Sequence, residues 1–296
     1  MRNMRKLALP RLLAAIGVLW AFGPVTMQAS TWVLGDVFVA VDPGQYQVFS
    51  NAGVFKETIL TGGGGFTTGC AFNPGKTALY GTDFSSRVVV FDATHPHSVI
   101  QTISDPGIES VVFTSGGDFF TGGPGKHIIR YNAAGVLQQT YNQSAGSDWV
   151  DVSSDQHTLF YDEEGATIHR LDATGSGTQL ANFSTAGSRF FALRLLPPGD
   201  GSAGLLVANG ANVVRLNSSG AIVKTYTAAG AGLFFALNLD PNGTSFWTAD
   251  LSTGKFYRFN IASGAIEVGP ISVGAEAAGL CVLGEPTGAV GGGVGG

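Results

Sequence analysis

Three residue markers recur in phase six times along this 296-residue chain, and a chain built that way is confined to a repeat architecture. The first marker is an apolar residue inside a short apolar run: Cys70, Val111, Val150, Leu193, Leu237 and Leu280. The second is a polar residue or glycine closing the next run: Asp42, Asp83, Gly123, Asp162, Asn209 and Asp250. The third is a run ending in an apolar–polar pair, at 46–50, 88–92, 128–132, 168–172, 213–217 and 256–260. Successive second markers lie 41, 40, 39, 47 and 41 residues apart.

The stretch 232–270 shows what one unit is. Phe234 to Leu239 is an apolar run too short for a stable helix, and Asp-Pro-Asn-Gly at 240–243 is a turn, since proline fixes φ and glycine accepts positive φ. The β-prone runs 245–249, 255–259 and 265–268 follow, each bounded by Gly, Asn or Asp. Four such strands make an up-down antiparallel sheet with two apolar faces. One sheet of that kind cannot stand alone, and radial stacking covers both faces.

The ends of the repeat array are each incomplete. The first unit has only three outer strands, at 36–41, 46–50 and 54–60, and an orphan inner strand follows the last complete unit at 279–283. Placing the orphan inside the first unit closes the ring and removes two exposed edges. The expected fold is therefore an all-β six-bladed propeller of four-stranded antiparallel blades, closed by the C-terminal strand in blade 1.

Two flanking segments are set apart from this body, which spans 30–284. Arg2, Arg5, Lys6 and Arg11 precede an apolar stretch at 12–25 and Met-Gln-Ala at 27–29, so residues 1–29 read as a secretory signal peptide. Residues 285–296 (EPTGAVGGGVGG) read as a Gly-rich flexible tail. Without the first segment the chain carries 12 Lys+Arg against 21 Asp+Glu, a formal charge of −9. No basic stripe is available for phosphates, so nucleic acid is excluded as a partner, and adhesion to an anionic membrane is disfavoured. The expectation is a secreted, extracellular or periplasmic monomer that meets an envelope or extracellular protein or a small-molecule ligand.

The strand–Asp–turn–strand–Asp pattern of Tyr80-Gly-Thr-Asp83-Phe-Ser-Ser-Arg87-Val-Val-Val-Phe91-Asp92, and of Trp247-Thr-Ala-Asp250 with Phe259-Asn260, resembles NHL-type propeller repeats over roughly residues 32–283. Blade 3 departs from it, with Gly122-Gly-Pro-Gly125 where the acid is expected. The resemblance bears on the fold and not on a function; the lack of a convergent nucleophile–base or metal-ligand set in the sequence points to a binding or scaffold module that works through one face of the ring. The alternative is a metal-dependent hydrolase or lyase, similar to gluconolactonase-type or streptogramin-lyase-type propellers. Glu109, Asp148 and Glu276 would then hold a divalent cation, Ca²⁺ or Mg²⁺. A lactonase-like site also needs an Asn on the channel axis, where Asn238 is the one available, and the lyase pattern needs histidines at the mouth.

Counting along the inner strands gives the candidate residues. Two places before the first marker stand Glu109 and Asp148 in adjacent blades, and two places further up stand Arg189 and Glu276. Neighbouring carboxylates raise one another's pKa or share a cation. These four form the candidate catalytic set. One place after the marker stand Asp151, Arg194 and Asn238, expected to form a polar network tying blades 4, 5 and 6. The recurring Asp of the second marker is expected to cap its own turn. Asp162-Glu163-Glu164 puts three acids where the turn needs one, which makes it a candidate surface Ca²⁺ site. Cys70 and Cys281 are the only cysteines, and a secreted domain favours pairing them. Their one-place parity difference suits neighbouring blades whose cysteines face each other, and equally cysteines that point apart.

Overall fold

The computed structural model describes residues 31–286 apart from 85 and 126. The segment read as a signal peptide and residues 287–296 lie outside the described residues. Among the described residues there is no helix, and 24 strands form six four-stranded antiparallel sheets. The inner strands touch one another in cyclic order, so the sheets form a closed ring.

Burial falls from the axis outward, and the sequence shows why. In blade 6 the inner strand Phe234–Leu239 and the second strand Ser245–Asp250 are buried at every position. The third strand Lys255–Asn260 is buried at Phe256, Tyr257 and Phe259, and the outer strand Ile266–Ser272 is exposed at most positions. Aromatic side chains fill the wedges between blades: Phe246 stacks on Phe259 while Tyr226 of blade 5 meets Phe246 edge-on at 4.9 Å. Three third-strand arginines lie over aromatic rings of the second strands, with Arg130 over Phe120, Arg170 over Phe160 and Arg258 over Trp247. In each case the arginine pairs directly across the ladder with the ring it covers.

Ring closure occurs in blade 1, where Ala277–Val282 lies inside Val37–Val41, followed by Gln45–Phe49 and Phe55–Leu60. Leu280 pairs with Val39 and Cys281 with Phe38. The closing strand approaches blade 2 at backbone distance. A Cβ on Gly279 would fall 2.1 Å from the Thr68 carbonyl oxygen, so only glycine fits there. That approach brings Cys70 and Cys281 to a Cα separation of 5.4 Å, and they form a disulfide across 211 residues.

Antiparallel order fixes which loops share a face. Loops leading into the inner strands and turns between second and third strands lie on one face, called the upper face below. The remaining turns lie on the lower face.

Candidate functional site at the acidic channel mouth

Blades 3 and 4 build the site on the upper face. Glu109 directly precedes the inner strand Ser110–Phe113 of blade 3, and Asp148 directly precedes Trp149–Val152 of blade 4. The backbone holds both in place: Glu109 N–H donates to the Gly122 carbonyl at 2.8 Å, and Asp148 N–H to the Asp162 carbonyl at 2.7 Å. Glu164 follows in the turn after Thr158–Asp162, at a φ of 60° in the left-handed region. One carboxylate oxygen each from Glu109, Asp148 and Glu164 lie within 4.8 Å of one another.

Glu109 and Asp148 are buried and short of hydrogen-bond donors, while Glu164 is half-buried and paired with Arg189. Asp148 is fully buried and Glu109 is 5% exposed. Both oxygens of Asp148, Oε2 of Glu109 and Oδ2 of Asp162 lack a hydrogen-bond donor. Burial pushes Glu109 up to about 7, with Glu164 adding to the rise. Burial likewise pushes Asp148 well above the usual carboxylate range, and the Glu109 charge beside it pushes the same way. Arg189 is the cation at this spot: it pairs with Glu164 and lies over the Phe191 ring at 4.8 Å. Below the acids, Phe235 meets both Phe191, at 5.0 Å, and Trp149, at 5.9 Å.

The second marker explains why blade 4 differs. In blade 6, Asp250 accepts from Gly232 N–H at 2.7 Å, Leu233 N–H at 3.1 Å and Ser252 N–H at 3.0 Å. Asn209 plays the same part in blade 5, accepting from the N–H groups of Ser188 and Arg189. In blades 5 and 6 the marker thus ties the end of the second strand to the loop entering its own inner strand, and in blade 1 Asp42 accepts instead from Thr67 N–H at 3.0 Å, at the start of blade 2's inner strand. Asp162 has only a long bond from Glu164 N–H, at 3.4 Å, and burial pushes its carboxyl well above the usual range.

The remaining candidates fall elsewhere. Glu163 turns to Gly146 N–H and lies 3.7 Å from His169 Nε2. Glu276 is exposed on blade 1, where its charge adds to the burial that raises Asp42. The trio therefore combines Glu109 and Asp148 with Glu164, an acid that the sequence grouped with the separate turn site. Among the described residues, His97 is stacked on Trp32 and His169 on Tyr161.

At the lower mouth, Asp151 accepts from Leu195 N–H at 2.8 Å, which joins blade 4 to blade 5. Arg194 donates from Nε not to Asp151 but to Glu285, at 3.0 Å. Glu285 also accepts from Leu239 N–H at 2.7 Å and from the Asn238 side chain. Sequence reasoning missed Glu285 because the glycines after it mark the segment as tail. A cavity of about 350 Å³ opens beside this cluster, walled by Phe72, Val112, Phe113 and Val282. Its walls are largely apolar, and its floor charges, Arg194 and Glu285, satisfy each other.

No protein-family model matches the chain, and no curated protein matches it in sequence. The resemblance to NHL-type repeats rests on the repeat residues, and what the structure adds to it is the six-bladed ring.

Proposed function

We propose that this chain is an extracytoplasmic binding module that takes a positively charged ligand at its upper mouth. The observation that carries the proposal is Asp148: a fully buried carboxyl whose one side-chain partner is the neighbouring acid Glu109, with no N–H or hydroxyl donor to either oxygen and with Glu164 beside it. Ionising that pair of acids is costly until an opposite charge reaches it. The disulfide supports the compartment, since such bonds persist where the surroundings are oxidising.

The test is calorimetric titration with a trilysine peptide at low and at physiological salt. The proposal expects salt-weakened binding that is lost in the Glu109→Gln/Asp148→Asn double variant. Binding should persist in Asp155→Asn, on the lower face. Equal binding by all three proteins would move the working face away from the trio.

A second reading, a metal-dependent hydrolase or lyase, is favoured by Glu109 alone: a carboxyl pushed up to about 7 can hold and give up a proton near neutral pH. It would use Glu164 where the sequence suggested Glu276. Turnover of lactone or ester substrates that disappears in Glu109→Gln would support it.

A further inference from the structure

We infer that Glu109, Asp148 and Glu164 form a calcium site, which names the charge that the proposed upper-mouth function receives and rests on that reading. Three observations converge on it.

The first is distance. Ca²⁺ takes its oxygen ligands at about 2.3–2.6 Å, so two oxygens on one ion are at most about 5 Å apart. The trio's oxygens, all within 4.8 Å of one another, meet that limit. Mg²⁺ holds its ligands at about 2.0–2.1 Å in a strict octahedron, which caps the separation near 4.2 Å and demands tighter packing.

The second is Asp148 itself. It is fully buried, both its oxygens lack donors, and it faces the other two carboxylates. Asp250, also fully buried, is by contrast satisfied by backbone and serine donors. Asp148 is fully buried and Glu109 nearly so, and a bare ion reaches both with less displacement of the mouth than a side-chain ammonium needs. The donor set is all oxygen, the choice of a hard cation.

The third is charge. Glu109, Asp162 and Glu164 all bear on Asp148, and among the described residues the cation recorded against this group is Arg189, which pairs with Glu164. A divalent ion supplies the positive charge that Arg189, spent on Glu164, does not bring to Asp148 and Glu109. Glu164 is the least buried of the three ligands, so it is the one that can swing to admit the ion.

The experiment uses the full chain, stripped with chelator and titrated with Ca²⁺ and separately with Mg²⁺. Calorimetry should give one Ca²⁺ per chain. Thermal melting should show Tm rising by roughly 5–10 °C when Ca²⁺ is in hundredfold excess over its dissociation constant, with a smaller rise in Mg²⁺. Asp148→Asn should abolish the rise. Glu164→Gln, on the turn and safe for folding, should cut affinity at least tenfold, while Asp155→Asn should keep the full effect. No Ca²⁺-dependent shift in the wild type, or a shift that survives both site variants, overturns the inference. If Ca²⁺ fails while trilysine still binds at the upper mouth, the calcium site is refuted and the binding reading stands. If neither binds, both fall.

Discussion

Asp162 and Asp250 stand at the same step of the repeat, both fully buried, and their carboxyl groups are pushed in opposite directions. Burial raises each, but hydrogen bonds from Gly232, Ser252, Leu233 and Thr253 outweigh it at Asp250 and hold that group below the usual range. Asp162 has no such set. The repeat therefore uses one position as a structural tie in blade 6 and leaves it as an unsatisfied acid in blade 4. The prediction is opposite responses to one substitution. Asp250→Asn should lose about 1–3 kcal/mol, because an amide NH₂ then faces a backbone donor. Asp162→Asn, measured in chelator at pH 7, should leave stability unchanged or raise it. Urea unfolding of the two variants beside the wild type decides the matter.

Closure depends on a strand that enters from the far end of the sequence. The chain-entropy account gives a disulfide spanning 211 residues roughly 5 kcal/mol. The Cys70→Ser/Cys281→Ser variant should fold but melt well below the wild type. Gly279→Ala should destabilise by a comparable route without touching the disulfide, since its Cβ meets the Thr68 carbonyl at 2.1 Å and backbone must move. Loss of hydrogen-exchange protection in Ala277–Val282 before the other inner strands would identify closure as the step affected.

Arg194 and Glu285 are 7% and 8% exposed at their side chains, so neither charge can relax into water. Glu285→Ala should therefore cost about 3–5 kcal/mol by stranding Arg194. Adding Arg194→Met to that variant should recover part of the loss. A double variant less stable than the single one would show that Arg194 is satisfied by its neighbours Asp151 and the Leu193 carbonyl.

Asp151 gives the fold an inverted pH response. Burial pushes its carboxyl up to about 6, against the attraction of Arg194. Between that value and the ordinary 3.8, the native state binds the proton more tightly than the unfolded chain, so stability falls as pH rises through the window. The cost is fully present above about pH 6 and is lost towards pH 4, with a ceiling of roughly 3 kcal/mol. Asp151→Asn removes the titrating group. The stability difference between wild type and variant should change by about 2 kcal/mol from pH 4.5 to 6.5, read from urea unfolding at each pH. Parallel pH curves would show that the group does not titrate there.

The fold was legible because blade positions follow from a period of about forty residues, and a one-place count along each inner strand gives height above the channel floor. Height is what placed Glu109 and Asp148 together. The same count put Glu276 on blade 1, and what it could not give is reach across the mouth: the structure leaves Glu276 exposed, with its charge bearing on Asp42 instead. Glu164 joins them through the left-handed backbone of a turn, which no strand period encodes. Glu285 was hidden for a different reason: local composition reads as tail, while its partners Arg194 and Asn238 lie 91 and 47 residues earlier. The disulfide was half legible. Parity allowed facing or opposed cysteines, and the close approach at Gly279 decides between them.

The central claim is that the unsatisfied carboxylate of Asp148 marks the place where this ring receives a cation. Crystals soaked in Mn²⁺, and separately in Ca²⁺, test it through anomalous scattering. The account predicts a single strong peak at bonding distance from Asp148, Glu109 and Glu164, absent from Asp148→Asn crystals. Peaks confined to the lower face, or none in well-ordered crystals of the wild type, would contradict it.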